Sequence, residues 1–187
     1  MKTEHKLAEA LKTLMAELPL DNISVTTLTK KCHVKRQTFY YHFHDIYDLL
    51  TLVFLNETIP EIGATVDIPT LMKCIYKYYT KNSGFINATL NSAGKDLFEE
   101  FIYNVCYQNI LRFVCYIPDS RKLPLNDRKA VARFYSFAYS QSIVYYLSTY
   151  KNKSYEGLMN CFRFESKDSI KEAINNLLTK RAGTQNE

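Results

Sequence analysis

TTLTKKCHVKRQTFYYHF, residues 26–43, sets two short helix-forming runs on either side of a three-residue turn. The first run covers Thr26 to Cys32 and the second Arg36 to Phe43, leaving His33, Val34 and Lys35 between them. Two helices joined at a steep angle by so short a turn make a helix-turn-helix. In such a unit the second helix enters the DNA major groove, and its N-terminal residues meet base edges. Here those residues are Arg36, Gln37 and Thr38, preceded by Lys35. Arg36 can fork onto guanine O6 and N7 and Gln37 can pair bidentately with adenine, each such contact giving about 1–3 kcal/mol of discrimination. Thr38 offers a hydroxyl to a base or phosphate and a methyl to thymine.

The neighbouring sequence supplies what this small unit lacks. Leu7, Ala10, Leu11, Leu14, Met15 and Leu18 recur at helical spacing, predicting a first helix over about Thr3–Leu18 that Pro19 stops. Ser24 or Thr26 is placed to cap the helix that follows. Its Leu28 faces inward, and Lys30 and Lys31 face outward. A fourth helix opens at Asp45 or Ile46 and runs to about Asn56, carrying Leu49, Leu50, Val53 and Phe54.

Ile23, Ser24, Val25, Leu28, Val34, Thr38, Phe39, Tyr40, Tyr41, His42, Phe43, Leu49 and Leu50 together make the segment Leu7–Leu55 resemble the DNA-binding domain of the TetR family of bacterial transcriptional regulators. The resemblance implies backbone contacts to DNA from Thr27, Tyr40, Tyr41 and His42, which fix register rather than sequence. A capping hydroxyl at Thr27 is compatible with that role. The other reading of the three aromatics is packing against the fourth helix, while Phe39 and Phe43 are core. Two positions depart from the family pattern. His33 stands where the family commonly has Gly, a place that favours the left-handed backbone. Ile46 stands where the family often has a Lys on a phosphate.

Composition agrees with an all-α protein. Five Gly and five Pro interrupt 187 residues sparsely, and 15 Tyr and 11 Phe supply bulk without any Trp. The net charge is +5, yet residues 1–58 hold as many acids as bases, so charge alone does not mark nucleic-acid binding. Four bases instead cluster between Lys30 and Arg36. The five cysteines, Cys32, Cys74, Cys106, Cys115 and Cys161, lack ligand spacing. They read as reduced, mostly buried thiols that behave as small hydrophobes. His33, His42 and His44 with Cys32 fall on different helical faces, so no metal and no cofactor are expected. No Gly-rich phosphate loop or nucleophile motif argues for an enzyme. No apolar run is long enough for a membrane span, and with no signal peptide before the first helix the expectation is a cytoplasmic protein.

Pro60, Gly63 and Pro69 mark a break, dividing a helix-turn-helix domain (1–58) from a helical effector-binding and dimerisation domain (59–187). The second domain predicts helices over Thr70–Lys81, Phe85–Leu90 and Lys95–Tyr116, a surface loop over Pro118–Leu125, a long helix that Asp127 caps and that runs to Tyr150, and a last one from Ser166 or Lys167 to Arg181. Along the long helix Val131, Phe134, Tyr135, Ala138, Ser142, Tyr145 and Tyr146 make one stripe, and Phe137, Val144 and Leu147 widen it. A helix apolar over more than half its circumference is buried on two sides. One side then faces its own domain and the other a second subunit. The last helix, with Ile170, Ala173, Ile174, Leu177 and Leu178, is the partner that the resemblance implies in a four-helix homodimer interface.

The reading is a homodimeric regulator of a pseudo-palindromic operator in double-stranded DNA, a repressor released by an effector. Tyr76, Tyr103, Tyr107, Phe134 and Gln141 are the candidate effector pocket; such aromatics can equally form core. The segment Phe85, Ile86, Ala88, Leu90 with its Ser92-Ala93-Gly94 ending is similar to that of the regulators of dihydroxyacetone kinase operons, a subgroup in which a protein coactivator replaces a metabolite. That keeps an activator with a protein partner as an alternative. A protein-binding helical adaptor without DNA function is the other.

Overall fold

The computed structural model describes residues 2–60, 62, 63, 67–163 and 168–184. Among these residues the regular structure is helical throughout. The chain packs as two compact units, Met1–Ile59 with Tyr76–Phe101, and Pro60–Ile75 with Ile102–Glu187.

The first unit holds α1 (Lys2–Met15), a 3-10 turn (Leu20–Asn22), α2 (Val25–Cys32), α3 (Arg36–His42) and α4 (Ile46–Asn56), and it takes in the C-terminal part of α5 (Ile68–Lys81), α6 (Ser83–Leu90) and the first turns of α7 (Lys95–Tyr116). Leu7 and Leu11 of α1 close over Leu28, Phe39, Leu49 and Leu50, all fully buried. Short helices cannot bury their own apolar face, and α1 completes that core. Helix α1 ends at Met15 rather than Leu18, because Glu17 N–H turns back to Leu14 C=O (3.1 Å), tightening the last turn. Pro19 then caps the 3-10 turn. Phe54 of α4 meets the rings of Phe85, Phe98 and Phe101 at 5.4, 6.0 and 5.7 Å. A Cβ on Gly84 would stand 2.6 Å from Ala16 C=O, so α6 lies this close only because residue 84 has no side chain. The half-buried Lys12 ammonium pairs with Glu57 at 2.8 Å and lies 5.5 Å from the Phe85 ring. Burial pushes the nearby Tyr78 hydroxyl upward, with the Glu57 charge adding to the effect.

The second unit holds the first residues of α5, most of α7, a 3-10 turn (Pro118–Lys122), α8 (Leu125–Thr149), α9 (Tyr155–Asn160) and α10 (Ser169–Thr184). Helix α8 begins at Leu125 after Pro124, with no side-chain cap. The expected cap, Asp127, instead accepts from Arg181 Nε of α10 at 2.6 Å, and it still lies in the first turn, where a carboxylate suits the helix dipole. The surface loop expected before α8 contains the 3-10 turn. Helix α9 is not legible in the sequence: it is one and a half turns long and contains Gly157. It forms because Ser154 Oγ accepts from Gly157 N–H (2.9 Å), and because the buried Tyr146 hydroxyl accepts from Ser154 N–H (2.8 Å) and donates to its C=O (3.0 Å). The start expected for the last helix, Ser166 or Lys167, lies outside the described residues. Its C-terminal end extends past Arg181 to Thr184.

Along α8 the buried residues are Val131, Ala132, Ser136, Tyr139, Ser140, Ile143, Val144, Tyr146 and Leu147. Phe134, Phe137 and Tyr145 stay 69, 56 and 62% exposed. All five cysteines are thiols outside any disulfide; Cys74 and Cys106 are buried and the other three half-buried. Burial pushes the Cys106 thiol up to about 12, the behaviour of a core hydrophobe rather than a reactive nucleophile. Among the described residues no helix is long and apolar enough to cross a membrane.

Candidate nucleic-acid interface

Singular residues hold α2 and α3 in place. Ser24, extended at φ −90°, is the N-cap of α2, and its Oγ accepts from Thr27 N–H at 3.0 Å. The two hydroxyls, Ser24 Oγ and Thr27 Oγ1, share a further hydrogen bond of 2.9 Å. The capping hydroxyl is thus that of Ser24 and not that of Thr27, whose side chain remains exposed in the first turn. After Cys32 the chain reverses through His33 at φ 54°, ψ 41°, the only non-Gly residue with positive φ among those described. His33 N–H donates to Lys30 C=O and Val34 N–H to Thr29 C=O (3.0 Å), closing the helix end as a Gly would.

Lys35 is extended and opens α3 without a side-chain cap. Successive residues of this helix divide by period. Phe39, fully buried, and Phe43 point into the unit with their rings 5.6 Å apart. Arg36, Gln37, Tyr40 and Tyr41, at the spacing of the opposite side, are exposed, Tyr41 to 86%. Lys35 is exposed beside them and Thr38 half-buried. The Arg36 guanidinium lies 5.9 Å from the centroid of the Tyr40 ring, one turn along. His42 is half-buried, and its Nδ1 stands 3.2 Å from Glu4 Oε1 of α1. Phe43 leaves the helix in extended conformation. Asp45 then caps α4 by accepting from Asp48 N–H (2.9 Å), while Asp48 accepts from His44 N–H (3.1 Å), a reciprocal pair that fixes where α3 stops and α4 begins. Tyr47 donates to Asp21 at 3.1 Å, tying α4 to the turn after α1.

Lys30, Lys31, Lys35 and Arg36 are all exposed, so one short stretch presents four cations. Chemically, the surface of α2 and α3 offers a guanidinium and an amide for base edges, and hydroxyls and cations for phosphates. Among the described residues no three His, Cys, Asp or Glu are grouped to hold a metal.

The residues expected to line an effector pocket are divided between the two units. Tyr76 belongs to the first unit, where it packs against Tyr79 at 6.2 Å. In the second unit Tyr103 stacks on Tyr107 at 6.0 Å and meets Phe137 at 4.6 Å, while Phe134 and Gln141 are exposed. A cavity of about 470 Å³ in that unit is walled by other side chains, Phe113, Tyr139, Met159, Phe162 and Ile170 among them, with Arg163 on its lining. Sequence reading missed these because the wall comes from five helices, one of them the unforeseen α9. The exposed aromatic side of α8 borders a shallow groove of about 330 Å³ with α10, lined by Phe134, Tyr135, Ala173 and Leu177.

A family model described as "Transcriptional regulator C-terminal region", of the TetR type, matches residues 67–163. No curated protein matches by sequence. Among solved structures, "Dihydroxyacetone kinase operon activator DhaS" is similar with a TM-score of 0.52 at 19% identity, over 96% of this chain and 95% of that one. At that identity the likeness is one of fold.

Proposed function

This chain belongs to the TetR family of transcriptional regulators, and from that membership we propose that it is a homodimeric, sequence-specific DNA-binding regulator. The observation that carries the reading is the division of α3: Phe39 and Phe43 anchor the helix, and Arg36, Gln37, Tyr40 and Tyr41 are left in solvent behind a left-handed turn at His33. Arg36, Gln37 and Thr38 read bases; Thr27, Lys35, Tyr40, Tyr41 and His42 hold phosphates and sugars. Residues 1–58 act as the DNA head and 59–187 as the effector and dimerisation domain. Dimerisation uses the exposed side of α8, with Phe134, Phe137 and Tyr145, together with the half-buried Leu177 and Leu178 of α10. Two heads related by a two-fold axis require a pseudo-palindromic operator.

Regulation is by an effector that binds the second domain and releases a repressor, which it can do only as far as it binds the free and DNA-bound states with different affinity. A second reading, an activator worked by a protein coactivator, is favoured by one observation: one similar structure is that of a protein named as an operon activator.

Selection of bound duplexes from a random pool, at two salt concentrations, tests the regulator. The expected result is one enriched inverted repeat whose retention falls steeply with salt, as phosphate contacts demand. Retention without enrichment, or enrichment indifferent to salt, refutes it.

A further inference from the structure

The three residues assigned to base reading are not equally held. Gln37 is exposed and Thr38 half-buried, and neither side chain bonds to another among the described residues. Arg36 has no carboxylate partner among them either, yet it is placed: its guanidinium lies 5.9 Å from the Tyr40 ring centroid, within the range in which an aromatic face attracts a cation. The Tyr40 ring is in turn fixed edge-on against Phe39, at 5.4 Å and 87°. Phe39 is fully buried, so its own position is set by the core. A chain of contacts therefore runs from the interior of the unit through the Tyr40 ring to the one side chain able to fork onto guanine. Residues four apart on a helix are neighbours, so the arrangement needs no other element.

We propose that Tyr40 is the positioning residue for Arg36, its aromatic ring setting sequence discrimination at the base pair Arg36 reads, while its hydroxyl serves backbone affinity. This rests on the regulator reading above and adds to it a division of labour within one side chain. A guanidinium on a flexible stem loses rotamer freedom when it docks bidentately. A ring that already holds it near the docking direction lowers that loss for the matched base, and does nothing for a base the fork does not fit. The ring thus acts on the ratio of affinities, whereas a phosphate contact lowers or raises all sites together.

The test uses the full-length protein, the enriched operator and its single-base variants, in competition binding. Arg36→Ala first identifies the base pair that Arg36 reads, as the position where preference disappears. Tyr40→Phe, which keeps the ring, is expected to weaken every site by a common factor and to leave all ratios unchanged. Tyr40→Leu, which keeps helix propensity and bulk but not the π face, is expected to lower the ratio at the Arg36 position by about two- to fivefold, the range of an exposed cation–π contact, and to leave other positions alone. In the Arg36→Ala background the same change should shift no ratio. Thermal unfolding of each variant checks the fold, and Tyr40 is 51% exposed. Equal ratios for Tyr40→Phe and Tyr40→Leu at that position, or a loss from Tyr40→Leu spread evenly over all positions, overturn the positioning role while leaving the regulator intact. Wild-type protein that enriches no sequence overturns the regulator and this inference with it.

Discussion

Between Ser24 and Phe43 the backbone is held by single residues, each effective at one place: a capping serine, a left-handed histidine, one fully buried phenylalanine. Over the 25 residues of α8 no single residue does so, and aromatics are spread around the helix until Phe134, Phe137 and Tyr145 are left exposed. The first region is short and polar, so fixed positions define it. The second is long and apolar, and its sequence leaves open which apolar side meets its own unit.

The contrast is broken most severely by Phe39→Ala. Removing a fully buried aromatic costs about 3–5 kcal/mol, and urea unfolding should show the first unit lost together with DNA binding. A small loss with binding retained would mean that the core does not depend on this residue. Next in size is Phe134→Glu on α8. If the exposed side pairs two copies, a charge there weakens dimerisation by about 30-fold or more, the scale of an interface hot spot, while thermal stability of the monomer stays the same. Sedimentation equilibrium reads this, and an unchanged dimer would place the interface elsewhere.

Gln37→Ala should alter base preference at one position per half-site, by about 1–3 kcal/mol; unchanged relative preferences would remove Gln37 from direct readout. Ser24→Ala should cost about 1 kcal/mol through the lost cap, seen as a lower urea midpoint with base preferences intact. Smallest is His33→Gly. Left-handed backbone costs an L-residue more than it costs Gly, and Gly returns part of that through chain entropy. The expected gain is therefore a few tenths of a kcal/mol. A loss instead would show that the imidazole itself makes a stabilising contact.

The same contrast accounts for what could be read without the structure. The helix-turn-helix was legible because its signals are local: the three residues between Cys32 and Arg36, the cap at Ser24, and the alternation of Phe39 and Phe43 with Arg36, Gln37, Tyr40 and Tyr41. The long helices α7 and α8 were legible as helices. The inward face of α8 was less so, since Phe134, Phe137 and Tyr145, three of the residues in its expected apolar stripes, stay exposed. Asp127 was misread as a cap because its ion-pair partner, Arg181, lies 54 residues away. The cavity escaped for a related reason: no periodicity in one helix announces a wall assembled from several.

One comparison joins the two regions directly, the affinity of the protein for an inverted repeat against a single half-site of the same sequence, with Phe134→Glu alongside. If single residues of α3 read the DNA and the exposed side of α8 pairs two such heads, the wild type binds the repeat far more tightly than the half-site, and the variant binds both equally weakly. A wild type that does not distinguish repeat from half-site would contradict it.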